Sequence, residues 1–240
     1  MWPSHAAVFG ILVACLLLCT VGQAVEGVIS IYATESDSSP SARLHLPAVE
    51  RNTLPVIIFV PDAQQHDMRH ERYITHLLAG GFAVLVPQDQ TVELGWLLSV
   101  AGQNPIQDGG RIGLLSFGAG AALMPEIGGL PRALLYPGCG QLSFPRETAP
   151  LLLIHGDTDP IDSPLACAAL ARGWEELGGG VTHYVLQGVG YAWDVREHEG
   201  IAHLLSQVPG RTPGNAVRDV AGVTEQAADM VAQFFLELFR

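Results

Sequence analysis

The sequence predicts a single-domain α/β protein built on a doubly wound, mostly parallel sheet. Three observations carry this. Apolar runs of strand length, rich in Val, Ile, Leu and Phe, recur along the chain. Stretches of helical length and spacing separate them, with Gly or Pro at most of the junctions. Most of the runs are continuous rather than alternating, as in strands covered on both faces. No repeat, low-complexity tract or linker divides the 240 residues, a length that one core can serve.

The elements follow in order. Residues 28–32 (VISIY) alternate as an early strand, and residues 35–40 (ESDSSP) make a polar turn. Residues 55–60 (PVIIFV) form a buried strand. Residues 69–79 form a helix with Tyr73, Leu77 and Leu78 on its apolar side, ended by Gly80-Gly81. Residues 82–86 (FAVLV) are a second buried strand, closed by Pro87, and residues 92–100 a helix. A turn at 104–110 leads into a third strand at 111–115 (RIGLL) and a short helix at 119–127. Two further strands lie at 133–136 and 151–154, a long helix at 164–177 and another strand at 181–186. An amphipathic helix at about 217–239 closes the chain.

Composition narrows the function. Apolar residues make up 48% of the chain and charged ones 15%, the balance of a well-buried globular protein. The net charge of −12, with no basic run, argues against nucleic acid or an anionic lipid surface as partner. Every basic residue is arginine, which excludes a Schiff-base or catalytic lysine.

Residues 6–21 are apolar or small and carry no charge, and Gly22-Gln23-Ala24 offers the small residues a signal peptidase needs. The run is shorter than the ~20 residues of a spanning helix. The expectation is a signal peptide at 1–24 and an exported domain at 25–240, with no other membrane association. The alternative keeps the N-terminal segment as a membrane anchor. Cys15 and Cys19 leave with the signal, so Cys139 and Cys167 are expected to form one disulfide; the alternative is two separate buried thiols.

Four segments, in order, resemble the dienelactone hydrolase family and the wider α/β-hydrolases. They are PVIIFVPDAQ with GGFAVLVPQD; GRIGLLSFGAGAAL; YPGCG followed by PLLLIHGDTDPIDSPLAC; and VLQGVGYAWD. The resemblance implies the α/β-hydrolase fold and a chemistry of ester or lactone hydrolysis without metal or cofactor. That chemistry needs a nucleophile on a tight strand-to-helix turn, a histidine to take its proton and a carboxylate to orient the histidine. Two backbone N–H groups must also face the oxyanion.

Carried onto this chain residue by residue, the pattern is incomplete. The elbow reads Ser116-Phe117-Gly118-Ala119-Gly120, which puts glycine, with no side chain, at the nucleophile position. A register shifted by two would make Ser116 the nucleophile, at the cost of placing Leu114 where the turn needs a small residue. Asp159 matches the orienting acid, although aspartates in such loops also cap the following helix. Asp157 and Asp162 beside it read as solvated loop carboxylates, and His155 as structural. The base position falls on Tyr191, and a phenol titrating near ~10 is a poor base for serine at neutral pH. His198 and His203 lie downstream. Oxyanion donors map to the N–H groups of Ala63 and Ala119, with Pro61-Asp62 in place of the family's His-Glu or His-Gly pair. The YPGCG run and the segment holding Cys167 match positions where exported relatives carry cysteines.

His66, Asp67, His70, Glu71 and His76 crowd one helix start, but no histidine follows at the H-E-x-x-H spacing. A solvated helix face is expected there, and no metal site. The sequence therefore points to an exported, non-catalytic relative of these hydrolases that binds a small carbonyl or acidic ligand or a partner. The competing reading is an active esterase or lactonase using Ser116.

Overall fold

The computed structural model describes residues 27–33, 38–49, 53–62, 70–88, 92–103, 107–143, 147–194 and 221–240. The expected signal segment, Ala63, His66, Asp67, His198 and His203 lie outside them. The strands are β1 (Gly27–Ile31), β2 (Ala42–Leu46), β3 (Leu54–Val60), β4 (Ala83–Pro87), β5 (Gln107–Phe117), β6 (Arg132–Leu135), β7 (Leu151–Gly156) and β8 (Val181–Leu186). The helices are α1 (His70–Ala79), α2 (Leu94–Gln103), α3 (Pro164–Glu176) and α4 (Ala221–Leu238), with a 3-10 helix at Gly118–Glu126.

The sheet runs β1-β2-β4-β3-β5-β6-β7-β8. β2 is antiparallel to both of its neighbours, and every pair from β4 to β8 is parallel. Apolar β-branched and leucine-rich runs suit this centre because helices cover both faces: every residue of β3, β6 and β7 is buried. Tyr73 and Leu77 of α1 and Val231 and Phe235 of α4 fill one face with Ile57, Leu115 and Ile154. Leu97 of α2 and Leu170 and Trp174 of α3 fill the other with Ile58, Leu114 and Leu153. Among the described residues no helix is long and apolar enough to cross a membrane.

Three elements differ from the sequence expectation. β2 has no expected counterpart, although Ala42 and Leu44 point inward on either side of the exposed Arg43. Its period-2 signal is short and interrupted by charge. β5 begins at Gln107 instead of Arg111, because Leu54 pairs with Gln107 before the register shifts and Val56 meets Ile112. The segment expected as a turn therefore completes an irregular ladder. The short helix after β5 is 3-10 in type, which suits a turn dense in Gly and Ala.

The polar face of α1 is also less solvated than expected. His76 binds Glu225 through Nε2 and Asp229 through Nδ1, both at 2.7 Å, and so ties α1 to α4. Glu225 and Asp229 sit one helical turn apart, which lets one ring meet both.

The Cys139–Cys167 disulfide is present, with Cα atoms 5.0 Å apart. It joins the loop after β6 to the first turn of α3. Beside it stands Asp162, which corrects the sequence expectation: it is fully buried, not solvated. Its carboxylate accepts the N–H groups of Gly138 and Cys139, at 3.0 and 2.6 Å, which is why it can be buried. Burial raises its pKa, partly offset by those two N–H donors. Cys139, Asp162 and Cys167 form the one close group of three metal-ligating residue types among the described residues. Its sulfurs are bonded to each other and supply no thiolate. The bridge spans a sequence separation of 28 residues, for which loop-closure entropy gives about 3.6 kcal/mol of stabilisation. The double substitution Cys139→Ser with Cys167→Ser is expected to lose about that much in urea unfolding. Intact mass under denaturing alkylation should show no free thiol at either position before reduction.

Two histidines make stability depend on pH. His45 on β2 has its pKa lowered first by burial, then by the nearby His70 and Arg43. His183 on β8 has its pKa lowered by burial and then by His155. A histidine depressed in the folded state binds fewer protons there than in the unfolded chain. Stability is therefore complete above the unfolded pKa near about 6.5 and falls as pH drops below it. The melting temperature is expected to be flat from about pH 8 to 7 and to decline below about pH 6.5. His45→Gln should reduce the slope of that decline; an unchanged slope would contradict the assignment.

Candidate functional site

The C-terminal ends of the parallel strands lie at one end of the sheet, where open α/β sheets carry the crevice that positions their functional groups. Asp62 follows β3, Gly118 follows β5, Tyr136 follows β6, Asp159 follows β7 and Tyr191 follows β8. The topology brings Asp62, Gly118, Tyr136 and Tyr191 together from four separate loops, whereas the hydrogen bonds of Asp159 stay within its own loop, to Ile161 and Asp162.

Gly118 opens the 3-10 helix directly after β5, with φ +49°, in the left-handed region where side chains are strained. Gly120, two residues on, lies so close to β3 that a Cβ would overlap the carbonyl of Pro61 and stand 2.9 Å from that of Val60. The chain has to be glycine there for the elbow to pack on its neighbour. Ser116 lies two residues earlier than Gly118 and inside the strand. It pairs with Val60 on one side and Leu134 on the other, and it is fully buried. Its hydroxyl has no hydrogen-bond partner among the described residues.

A Cβ at Gly118 would overlap Asp62 Oδ2 and stand 2.5 Å from the Tyr191 hydroxyl. Those two groups are bonded: the Tyr191 hydroxyl donates to Asp62 Oδ2 at 2.7 Å. Asp62 is only 2% exposed. The volume a side chain on the elbow would use is therefore filled by a carboxylate–phenol pair reaching in from two other loops. Sequence spacing puts Asp62 in the oxyanion loop and gives it no role; its position opposite the elbow is not legible there.

Tyr191 is held from behind. Its ring meets Tyr136 edge to face at 5.2 Å, and Tyr136 meets Trp193 in the same way at 4.7 Å. Both Tyr136 and Ala192 take positive φ, 41° and 51°, so the two loops are strained where they meet. Asp194 anchors the arrangement. It is buried, and its two carboxylate oxygens accept hydroxyl groups from Tyr136 at 2.7 Å and Tyr73 at 2.8 Å. Tyr73 belongs to α1, so the loop after β8 is tied across the sheet. Asp157 fixes the start of the same loop by accepting the Gly188 N–H at 2.7 Å.

Asp159 is buried at the end of β7, and its Oδ1 accepts the backbone N–H groups of Ile161 and Asp162, at 2.8 and 3.1 Å. These bonds turn the loop towards α3, whose first turn is capped by Ser163. Ala119 follows Gly118 in the 3-10 helix and is exposed. Of the histidine-rich start of α1, His76 is engaged with α4 and His70 stands edge to face against Phe59 at 6.1 Å.

The whole architecture matches solved α/β hydrolases. A sugar hydrolase from Lactococcus lactis aligns at a TM-score of 0.59, with 13% identity over 90% of this chain and 98% of that one. Thermogutta terrifontis esterase 2 aligns at 0.56, with 13% identity over 90% and 93%. A dienelactone hydrolase-like promiscuous phosphotriesterase from metagenomic libraries aligns at 0.57, with 15% identity over 82% and 92%. No protein-family model and no curated protein matches the sequence. The chain has the α/β-hydrolase fold.

Proposed function

We propose that this chain is an exported, dienelactone hydrolase-like protein that has given up catalysis and uses the crevice to hold a small ligand or a partner. One observation carries the reading. At the elbow, where the fold presents its nucleophile, stands a glycine, and the space beside it is taken by the Asp62–Tyr191 pair. A phenol bonded to a carboxylate supplies neither a nucleophile for acyl transfer nor a neutral-pH base. Ser116 is a poor substitute, because it is buried in β5 and a nucleophile must meet its substrate.

The same pair bears on the ligand. A buried carboxylate at the centre disfavours an acidic ligand by like-charge repulsion. A small neutral carbonyl compound suits the crevice better, accepting from the Ala119 N–H. Export rests on the apolar leader and on the disulfide, a bond that persists in oxidising compartments.

A fluorophosphonate probe tests the reading. The purified protein should not label, and any slow ester turnover should be unchanged by Asp159→Ala, since triad members act as a unit. Labelling that vanishes in Ser116→Ala would establish an enzyme and overturn the proposal.

A further inference from the structure

A second constellation lies away from the crevice, on the face of the sheet shared with α3. His155 near the end of β7 and His183 on β8 are diagonal neighbours: His155 pairs in register with Val185, and His183 with Leu153. Their Nε2 atoms stand 2.9 Å apart while the ring centroids are 5.0 Å apart, with the planes inclined by only 30°. The rings therefore meet nose to nose.

The protons can be assigned from chemistry. Nδ1 of His155 lies 2.9 Å from the Gly156 carbonyl, which only accepts, so that nitrogen carries the proton. Nε2 of His155 then presents a lone pair, and His183 Nε2–H donates to it. A histidine whose Nδ1–H is pinned by a backbone carbonyl, leaving Nε2 bare and fixed in direction, has the orientation of a metal-ligating imidazole.

We propose that His155 and His183 form a two-coordinate site for a soft monovalent d10 cation, of the class of Cu(I) or Ag(I). Three features select that class. Among the described residues no third His, Cys, Asp or Glu donor lies within 4.8 Å of both nitrogens, so four-coordinate zinc chemistry finds no shell. Both donors are neutral nitrogens, and His155 is fully buried. Desolvating one positive charge there costs far less than desolvating two. Finally, the nose-to-nose arrangement already approximates the straight N–metal–N line that such ions prefer.

Metal–nitrogen bonds of about 2 Å require the nitrogens to part to about 4 Å. The movement falls on His183, which is only half-buried and, among the described residues, stands on the terminal strand of the sheet, with β7 as its one neighbouring strand. On binding, the proton of His183 Nε2 passes through solvent to its Nδ1. Two N–metal bonds replace one N–H···N bond, and no net proton is released. The net charge of −12 favours arrival of a cation.

The test is titration of the oxidised protein with Ag(I) in chloride-free buffer, read by calorimetry and by 15N chemical shifts of the histidine side chains. One ion per chain is expected to move the Nε2 signals of His155 and His183 and no other histidine. His183→Ala and the more conservative His183→Gln, each checked for fold by circular dichroism, should weaken that binding by about tenfold or more. Signals of the pair that stay still on adding Ag(I), or equal affinity in a folded His183→Gln, would overturn the assignment. So would Zn(II) binding at the same two nitrogens more tightly than Ag(I).

Discussion

Replacing Gly118 with serine is expected to lower stability by about 4 kcal/mol and to leave the protein unlabelled by a fluorophosphonate. Two costs add. A side chain at φ +49° carries strain of ~1–3 kcal/mol. The new Cβ also overlaps Asp62 Oδ2 and presses on the Tyr191 hydroxyl, and overfilling a packed site costs a further ~1–3 kcal/mol. The far ends of flexible side chains usually yield cheaply, but these two are bonded to each other, and Tyr191 stands edge to face against Tyr136. Gly188 separates the two costs. It has φ +74° and nothing within 4 Å of where a Cβ would stand, so Gly188→Ser should lose only the strain. Urea unfolding of the two variants side by side reads the difference. If Gly118→Ser is no worse than Gly188→Ser, the volume at the elbow is open and the non-catalytic reading loses its main support.

The fold is largely legible because a parallel sheet imposes a simple pattern. Strands covered on both faces must be apolar throughout, and PVIIFV, FAVLV and LLLI are. β2 escapes because it lies near the edge, where only every second residue is buried and Arg43 and His45 dilute the signal. The Gln107–Gly110 stretch escapes because its polar and glycine residues resemble a turn, whereas its backbone completes an irregular pairing with β3. Asp162 misleads for a similar reason: a carboxylate in a loop looks solvated until its donors are known, and Gly138 and Cys139 come from another loop.

The site is legible in the sequence as positions in a resemblance but not as a set of contacts. The resemblance to dienelactone hydrolases places Gly118 at the expected nucleophile position, with Ser116 as the alternative, and Tyr191 at the expected base position. It cannot say that Asp62, 56 positions before Gly118, turns its carboxylate into the volume between them. Nor can it say that Asp194 holds two tyrosine hydroxyls and so fixes the loop carrying Tyr191. Such contacts depend on where loops from different strands meet, and a local pattern carries no record of that.

Asp62 also decides how the elbow could be rebuilt. The triple substitution Gly118→Ser, Tyr191→His and Asp62→Gly is expected to react with a fluorophosphonate about a hundredfold faster than the same variant lacking Tyr191→His, the scale of a positioned general base. The remaining parts stand at the mouth of the sheet: Gly120 packs the elbow on β3, Ala119 follows it, and Asp159 is held by two backbone N–H groups at Oδ1. Gly118→Ser with Tyr191→His, but with Asp62 kept, should fall well short. Its carboxylate would still overlap the serine Cβ, and its charge would oppose the oxyanion that forms beside it. The order of labelling rates is therefore the decisive measurement: triple above double, and double near the unaltered chain. A folded triple variant that labels no faster than its counterpart without histidine would mean that Asp159 does not orient a base at position 191. On the proposed non-catalytic reading, the obstacle to catalysis would then lie in the placement of the loops as well as in their side chains.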